Sequence, residues 1–294
     1  MKPAPFKRHL PRTVLEAVET LGEYAPLDGR VIAGGQSLIP MMAFRVARPA
    51  HLIDIAEVEG LDRLVILPDV LTIGARVRHA YFHHPQPCGV LGQLLATVVR
   101  HIGHYPIRMR GTFCGSLAHA DPSSEWCLVA ATLGATMTAA SRRGDRAIPA
   151  AEFFNGMMST ALAEDELLTE VRFLLLPADA KFGFSEFSRR AGDFAMSAAL
   201  VTYRLEGGRM IDVRLGVGGA EPCPRRIPEA ESILSGEAPS ERVFLAASDI
   251  AANAVDAMED HQTTKEYRRD LVRAVVRRAL DLANTAGRQS NANP

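Results

Sequence analysis

Hydrophobic and polar positions near the start of the chain follow first a helical and then a strand-like spacing. Residues 13–22 repeat apolar side chains with the period of an amphipathic helix. Residues 30–35 and 51–55 have the apolar runs of short strands, and the first run ends in two glycines. Between them the pattern predicts a helix capped by Ser37, with Pro40 in its first turn, where proline is tolerated.

The pattern continues with further strands and helices. Residues 63–77 predict two strands around a Pro-Asp turn, and residues 89–103 predict a helix. Residues 105–124 are polar and contain glycines, so we expect a long loop there. A second helix is expected over 124–135, followed by a hairpin over 136–150.

The pattern changes character near Pro177. After this residue the chain is expected to form strands first and helices last, with Gly207 and Gly208 as a hairpin turn. Strands and helices are mixed without the strict βαβα alternation of a Rossmann domain, which favours an α+β fold. The elements predicted in this region are strands over 182–190, 198–206 and 210–219 and helices over about 240–253 and 264–286.

The composition is that of an ordinary globular protein. A length of 294 residues gives an expectation of about two domains, with 47% hydrophobic and 23% charged residues. Lys and Arg number 33 and Asp and Glu 34, a balance that gives no electrostatic argument for nucleic acid or a membrane surface. The chain starts without a signal-peptide core and has no run of about 18 apolar residues, so no membrane segment is expected.

Cysteines and histidines do not form a metal-binding pattern. The cysteines include no C-x-x-C pair, which argues against a zinc or iron–sulfur site held by this chain alone. Four scattered thiols suit a reducing cytoplasm, where we expect the protein to reside. Histidine pairs such as His83-His84 are expected at the surface or at helix ends.

Three other features are expected to be structural. Trp126 is expected to pack in the core. The glycines of 216–219 resemble a Rossmann fingerprint, but the two prolines that follow forbid its helix, and no P-loop motif is present. Arginines of the last predicted helix are expected to form a solvated face, with a docking surface for a partner as the alternative. These arginines are Arg268, Arg269, Arg273, Arg277 and Arg278.

A first glycine loop, Ala33-Gly34-Gly35-Gln36-Ser37, joins a predicted strand to a predicted helix. Glycines let the backbone adopt positive φ and approach a ligand closely. Successive N–H groups in such a turn form an anion nest, and the following helix directs its N-terminal dipole to the same point. The loop therefore indicates a phosphate or pyrophosphate site, with a simple tight turn as the equal alternative.

A second glycine-containing segment begins at Gly111 and runs as GTFCGSLAHADPSSEW. It combines glycines and hydroxyls with His119 and with two carboxylates, Asp121 and Glu125, ahead of a helix that Ser124 is expected to cap. Long loops inside compact domains are more often functional than not. The alternative is a surface loop with a capping end.

Together these segments resemble the FAD-binding medium subunit of molybdenum hydroxylases, a family that includes aerobic carbon monoxide dehydrogenase, heterocycle dehydrogenases and the FAD domain of xanthine dehydrogenase. The residues that carry the resemblance are VIAGGQSLIPMM, ARPAHLIDI and IRMRGTFCGSLAHADPSSEW, followed by EFSRRAGDFAMSAA, GVGGAEPCPRR and EYRRDLVRAVVRRAL. It covers nearly the whole chain, in order.

The resemblance implies the domain organisation. A two-part FAD-binding region of the vanillyl-alcohol-oxidase type is expected over residues 1–177, divided near 55–60. A smaller α+β C-terminal domain is expected over 178–288. Residues 289–294 are expected to be a disordered tail.

The resemblance also implies which residues bind FAD. The first loop is expected at the pyrophosphate, and the second segment is expected on the same cofactor. Glu125 is similar to a carboxylate that hydrogen-bonds the cofactor, Leu168 to an apolar residue that lines the flavin, and Asp193 lies in a segment of the second domain that approaches the isoalloxazine ring. The implied FAD-binding residues are Arg30, Ala33, Gly34, Gly35, Gln36, Ser37, Leu38, Thr112, Phe113, Cys114, Gly115, Ser116, His119, Asp121, Glu125, Leu168 and Asp193.

Two positions depart from the family pattern. The family commonly has T-I-G-G in the second segment, whereas this chain has Thr112-Phe113-Cys114-Gly115. Cys114 is expected to be a packing thiol, with contact to the flavin as the alternative and a redox-active thiol as the least favoured option. Met196 stands where some relatives have a lysine near the flavin.

The resemblance implies that this chain relays electrons and has no catalytic acid–base residues and no metal site of its own. A large subunit with molybdopterin is expected to hydroxylate the organic substrate, and a small subunit with two two-iron two-sulfur clusters is expected to pass the electrons to FAD. The expected assembly is a dimer of such heterotrimers. The alternatives are a stand-alone FAD-dependent oxidase or reductase, and a non-catalytic nucleotide-binding subunit.

Overall fold

The computed structural model describes residues 2–261 and 263–289. The helices are α1 Val14–Tyr24, α2 Leu38–Ala43, α3 Val90–Val98, α4 Tyr105–Arg108, α5 Phe113–His119, α6 Glu125–Leu133, α7 Ala150–Phe153, α8 Pro228–Leu234, α9 Glu241–Ala254 and α10 Lys265–Gln289. The strands are β1 Lys7–His9, β2 Gly29–Ile32, β3 His51–Asp54, β4 Leu64–Ile66, β5 Val70–Gly74, β6 Thr136–Ser141, β7 Gly144–Pro149, β8 Phe154–Gly156, β9 Ser159–Thr160, β10 Leu167–Leu174, β11 Lys181–Phe187, β12 Ser197–Glu206, β13 Arg209–Gly218 and β14 Arg225–Arg226. Residues 290–294 of the expected tail lie outside the described part of the chain.

A parallel sheet of three strands, in the order β1-β3-β2, holds the first glycine loop. The central strand β3 buries Leu52 and Ile53, and this burial fixes the sheet against the core. The loop leaves the carboxyl end of the edge strand β2. Ligands of open parallel sheets bind beyond the carboxyl ends of the strands, and the loop occupies that edge.

An antiparallel sheet of five strands, in the order β4-β5-β10-β6-β7, forms the framework behind the second segment. Helix α5 packs on β10 and β5, and α6 packs on α5. Helix α6 is buried along almost its whole length, with Trp126 completely inaccessible. The predicted core position of Trp126 is therefore confirmed.

The C-terminal half is an antiparallel sheet of four strands, in the order β11-β12-β13-β14, covered on one face by α8, α9 and α10. The hairpin between β12 and β13 turns at Gly207 and Gly208, both at positive φ, as predicted. Helix α10 lies so close to β11 that a Cβ on Gly183 would be 1.9 Å from the carbonyl oxygen of Ala279. The fold is α+β, as expected from the pattern.

The other face of this sheet packs against the N-terminal half. Residues Ala198 and Leu200 of β12 belong to the core that contains α3, α5 and α6, whereas Ala199 and Val201 belong to the core under α9 and α10. A Cβ on Gly216 would be 1.9 Å from the Thr132 hydroxyl oxygen on α6. This glycine therefore serves close packing between the halves, which agrees with the rejection of a Rossmann fingerprint here.

Residues 105–124 are not the long loop that the polar pattern predicts. They contain α4 and α5, which have four and seven residues. Such helices complete at most about two turns, and they contain too few residues for a helical hydrophobic period to be recognised in the sequence. Ser37 and Ser124 precede α2 and α6 as expected, but neither side chain caps its helix.

The expectation of a solvated arginine face is wrong for Arg268. Its side chain is 5% exposed and donates to the carbonyl oxygens of Met196 and Gly219 and to Asp260 and Thr263. Helix α10 passes the end of β13 at this point. Arg268 therefore connects Met196, Gly219 and the segment that contains Asp260 and Thr263.

Candidate functional site

The two glycine segments meet backbone to backbone. A Cβ on Gly34 would lie 2.2 Å from the carbonyl oxygen of Arg110 and 2.7 Å from Cα of Gly111. Only a residue without a side chain permits this approach. Segments that are about eighty positions apart in the sequence thus form the two walls of one cleft.

The first loop turns at Gly35, which has φ +71°, and the Gln36 side-chain nitrogen donates to the Gly34 carbonyl at 3.1 Å. The N–H of Ile39 donates back to Gly35 at 3.0 Å and starts α2. Within residues 2–261 and 263–289, the backbone N–H groups of Gln36 and Ser37 have no acceptor. Two neighbouring free donors at a tight turn suit an anionic oxygen.

The second segment is the beginning of α5. The Thr112 hydroxyl accepts the N–H of Gly115 at 3.1 Å, so this threonine is the N-cap. An isolated β-bridge pairs Thr112 with Arg78, and the N–H of Phe113 donates to Val77 at 2.9 Å. These bonds fix the start of α5 beside the first loop.

A cavity of about 280 Å³ lies between the two segments. A neighbouring cavity of about 290 Å³ continues from it toward β10 and shares five lining residues with it: Arg30, Val31, Ala33, Gly115 and Ala118. The first is lined by Arg30, Val31, Ile32, Ala33, Gly34, Gly35, Gln36, Ser37, Leu38, His79, Gly111, Thr112, Gly115, Ser116, Ala118 and His119. Most residues implied to bind FAD are therefore brought to one elongated cleft, and Cys114 and Leu168 line its second part.

Two of the implied residues face the core. Phe113 is fully buried and stacks on Trp126, with ring centroids 4.5 Å apart, so only its backbone is left for a ligand. The Cys114 thiol donates to the Ile73 carbonyl at 3.6 Å, and burial raises its pKa well above its usual range. The reason is that positions 113, 114 and 117 form the inward face of α5.

Three other implied residues lie away from this cleft. Asp121 lines a separate cavity of about 340 Å³ between the two halves. Asp193 is exposed on a turn in which its N–H donates to Arg190 at 3.0 Å, and it lines none of these cavities. Glu125 is buried at the start of α6, where burial raises its pKa to about 7.

A buried histidine that the sequence did not single out supports the second segment. The Nε1–H of Trp126 donates to Nδ1 of His79 at 2.9 Å, and a Cβ on Gly111 would be 2.5 Å from Nε2 of the same ring. Burial lowers the pKa of His79 to about 3, so the imidazole is neutral. His79 and Trp126 are 47 positions apart, and no local motif links them.

Guanidinium groups on the other side of Gly34 were also missed. A cavity of about 560 Å³ beside the first loop is lined by Arg8, Arg78 and Arg110, among others. Arg8 pairs with Asp54 at 2.7 Å, and Arg78 donates to the Met109 carbonyl at 3.0 Å. The arginines place positive charge next to the turn, which suits phosphate. The sequence feature that could have indicated this positive charge was Arg108 and Arg110, which come just before Gly111.

No helix in residues 2–261 and 263–289 has the length and apolar character to cross a membrane. In the same part of the chain, no three His, Cys, Asp or Glu side chains come together as a metal-binding group. The lining of the cleft offers backbone amides and hydroxyls, and guanidinium groups stand beside it. This donor set fits a long ligand with a pyrophosphate, and the close approach at Gly34 shapes the cleft around it.

Comparison with known families agrees with this geometry. Residues 4–174 match the FAD binding domain in molybdopterin dehydrogenase, and residues 182–283 match the CO dehydrogenase flavoprotein C-terminal domain. Among curated relatives, the nicotine 6-hydroxylase medium subunit of Paenarthrobacter nicotinovorans is 39% identical over 86% of this chain and 89% of its own length. The carbon monoxide dehydrogenase medium chain of Hydrogenophaga pseudoflava is 31% identical over 96% and 98%.

Solved structures give the same relationship in three dimensions. Carbon monoxide dehydrogenase from Hydrogenophaga pseudoflava, in a form that lacks the Mo-pyranopterin moiety of the molybdenum cofactor, superposes with a TM-score of 0.93 at 31% identity, covering 97% of this chain and 99% of that chain. Quinoline 2-oxidoreductase from Pseudomonas putida 86 gives 0.91 at 32% identity, with the same coverage. The chain belongs to the FAD-binding medium subunits of the molybdenum hydroxylases and is an oxidoreductase subunit that binds FAD.

Proposed function

We propose that this chain collects electrons from the iron–sulfur clusters of a small partner subunit and passes them to an external acceptor, while a large molybdenum subunit oxidises the organic substrate. The observation that carries this proposal is the single cleft formed by both glycine segments within the domain that matches the FAD family. Relatives named as medium subunits or medium chains support an assembly of several chains. The assembly proposed here is a dimer of heterotrimers, located in the cytoplasm.

The chain's own residues bind and orient the cofactor. The free N–H groups of Gln36 and Ser37 are proposed to hold the pyrophosphate, with Arg30 and the Ser116 hydroxyl lining the same cleft. Leu168 lies in the second part of the cleft and is proposed to pack on the cofactor. The bound FAD supplies the ability to accept electrons singly and release them in pairs.

Other implied residues are proposed to contribute indirectly or from the second domain. Asp193 is proposed to contribute by way of the turn that it belongs to, because this turn packs closely on the first domain. A Cβ on the adjacent Gly192 would lie 2.5 Å from the His104 ring. The Ser123 hydroxyl donates to the Ala195 carbonyl at 2.7 Å and holds the same segment on the first domain. The division into residues 1–177 and 178–288 is proposed as the domain boundary.

The test separates the single chain from the assembly. The purified chain should contain FAD and no molybdenum, and it should not oxidise an organic substrate. Co-expression with the proposed small and large subunits should give a complex that does. Steady substrate oxidation by the metal-free chain would contradict the electron-relay function.

A further inference from the structure

Two stretches of the chain around the glycine segments are rich in arginine and contain no acidic residue. Residues 29–53 and 70–120 together have eight arginines and not one Asp or Glu. Because Lys and Arg number 33 in the whole chain and Asp and Glu 34, the excess of acid lies elsewhere. The overall balance of charge therefore conceals a strongly basic region within the domain that matches the FAD family.

The two stretches meet in one surface beside the first loop, where Gly34 touches the backbone of Arg110. Ile39 of α2 lines a cavity together with Arg78 and Arg110, and both arginines line the next cavity together with Tyr81. We call the exposed side chains of residues 39–48, 78–81 and 105–110 the basic face. Its exposed arginines are Arg45, Arg48, Arg78 and Arg110.

The exposed arginines of the basic face are not neutralised by carboxylates. Within the described residues none of the four forms a salt bridge, whereas two arginines of α10 do. The side chains of Arg45 and Arg110 have no hydrogen-bond partner there, and the other two donate to backbone carbonyls. Two carboxylates line the adjoining cavities, namely Asp54, which is paired with Arg8, and Asp62. The face thus keeps a net positive charge.

Large apolar side chains stand among these arginines. Phe44 and Val46 are each 74% exposed, and Tyr105 is 58% exposed. Neither Phe44 nor Val46 lines the cleft or the cavities beside it, so FAD bound in the cleft would leave both uncovered. Aromatic residues and arginine are enriched in protein–protein interfaces. Exposed apolar groups among unpaired arginines therefore favour a protein over a free anion or a nucleic acid.

We propose that the basic face docks the small iron–sulfur subunit through an acidic surface of that partner. The proposal rests on the proposed function, which requires an electron donor. The cavities at the face share Ala33 and Gly34 with the cleft, so a partner seated there lies beside FAD, as electron transfer requires. A two-iron two-sulfur cluster with four thiolate ligands carries a net negative charge, which suits this face. The large subunit has no comparable need to approach the flavin.

Charge reversal tests the docking face in the full-length, FAD-loaded chain co-expressed with the proposed small subunit. Sedimentation of serial dilutions gives the dissociation constant of the complex. The double variant Arg45→Glu/Arg48→Glu should raise this constant at least ~10-fold at low salt, because like charges then face each other. Raising the salt from about 0.05 to about 0.5 M should weaken the wild-type complex more than the variant complex.

A second variant and a matched control separate docking from a general effect of charge. Phe44→Ser/Val46→Ser should weaken the complex at both salt concentrations, because it removes apolar contact area. Arg242→Glu/Arg278→Glu makes the same change of net charge at exposed, unpaired arginines of α9 and α10, and it should bind as the wild type does. Circular dichroism and FAD content establish that each variant is folded.

The outcomes distinguish the docking face from the proposed function. Wild-type binding by folded Arg45→Glu/Arg48→Glu, or weakening by the control pair alone, would overturn the docking face and leave the proposed function intact. A short DNA duplex is a second probe. If the reversal abolished binding of the duplex but not of the small subunit, the face would be a nucleic-acid surface. A wild-type chain without FAD, or without affinity for the small subunit, would contradict the proposed function and the docking face with it.

Discussion

Replacing Gly34 by alanine should separate the two walls of the cleft and weaken FAD binding. The new Cβ would lie 2.2 Å from the Arg110 carbonyl oxygen, whereas ordinary contacts begin near 3.4 Å. The two nearest atoms, the Arg110 carbonyl oxygen and Cα of Gly111, both belong to the backbone. No flexible side chain can therefore move aside, and the two segments must separate by roughly 1 Å. Such overpacking destabilises the fold by about 1–3 kcal/mol.

The effect on affinity follows from the donors that this displacement misplaces. The free N–H groups of Gln36 and Ser37 lie in the same turn as Gly34, just after Gly35, and a hydrogen bond to a charged group contributes about 1.5–3 kcal/mol. Losing one such bond corresponds to a roughly 10- to 100-fold increase in the dissociation constant. Quenching of flavin fluorescence on titration into FAD-free protein measures this constant, and circular dichroism reports whether the variant is folded.

Gly156→Ala is the matched control for this experiment. Its Cβ would meet only the Cβ of Ser159, at 3.8 Å, an ordinary contact. This variant should bind FAD as the wild type does. If folded Gly34→Ala also bound FAD with wild-type affinity, the close approach of the two segments would not be what shapes the site.

Four further substitutions test the packing around the site and between the two halves. Cys114→Gly should keep FAD and shift its potential by less than about 30 mV in spectroelectrochemical titration, because the thiol points at the Ile73 carbonyl; loss of FAD would mean that the second segment is wrongly assigned. Trp126→Phe removes the donor to buried His79 and should lower the free energy of unfolding by about 1–3 kcal/mol in urea titrations, and an unchanged value would refute the importance of that bond. Because burial lowers the pKa of His79 to about 3, its neutral form stabilises the fold above pH 6.5 and this contribution is lost as the pH falls toward 3; His79→Gln should remove that part of the acid sensitivity. Arg268→Met should lower the free energy of unfolding by about 1.5–3 kcal/mol in urea titrations, because the carbonyl oxygens of Met196 and Gly219 lose a charged donor while Asp260 is 45% exposed to water, and a loss below about 1 kcal/mol would contradict the role assigned to Arg268.

The longer elements and the first loop could be predicted from the sequence for a simple physical reason. The strands β12 and β13 have ten residues each, enough for apolar runs to be visible, and two adjacent glycines at positive φ mark their turn. The first loop contains its own turn residues and its own free donors. In both cases the residues of the element itself were sufficient to predict its structure.

The second segment could be recognised in the sequence, but its helical structure could not be predicted. Its glycines and hydroxyls were visible, but the inward face of α5 is formed by Phe113, Cys114 and Leu117, too few positions to establish a helical period. The burial of the Phe113 side chain was consequently not predicted, whereas the Cys114 side chain is buried like the expected packing thiol and also lines the second part of the cleft.

Contacts between distant positions could not be predicted at all. Glu186 meets His101 only because β11 packs against the end of α3, and nothing local to either residue indicates the other. The same holds for His79 and Trp126. The surroundings of His79 beside the cleft depend on such tertiary contacts, which no local pattern of residues predicts.

Strand β12 has a consequence for how the molecule unfolds. Its alternate side chains, such as Leu200 and Val201, enter two different cores, so neither core is complete without the same ten residues. Unfolding of either half would remove the packing from one face of β12 and expose its apolar side chains to water. The two domains are thus coupled into one cooperative unit, and calorimetry of the intact chain should record a single transition.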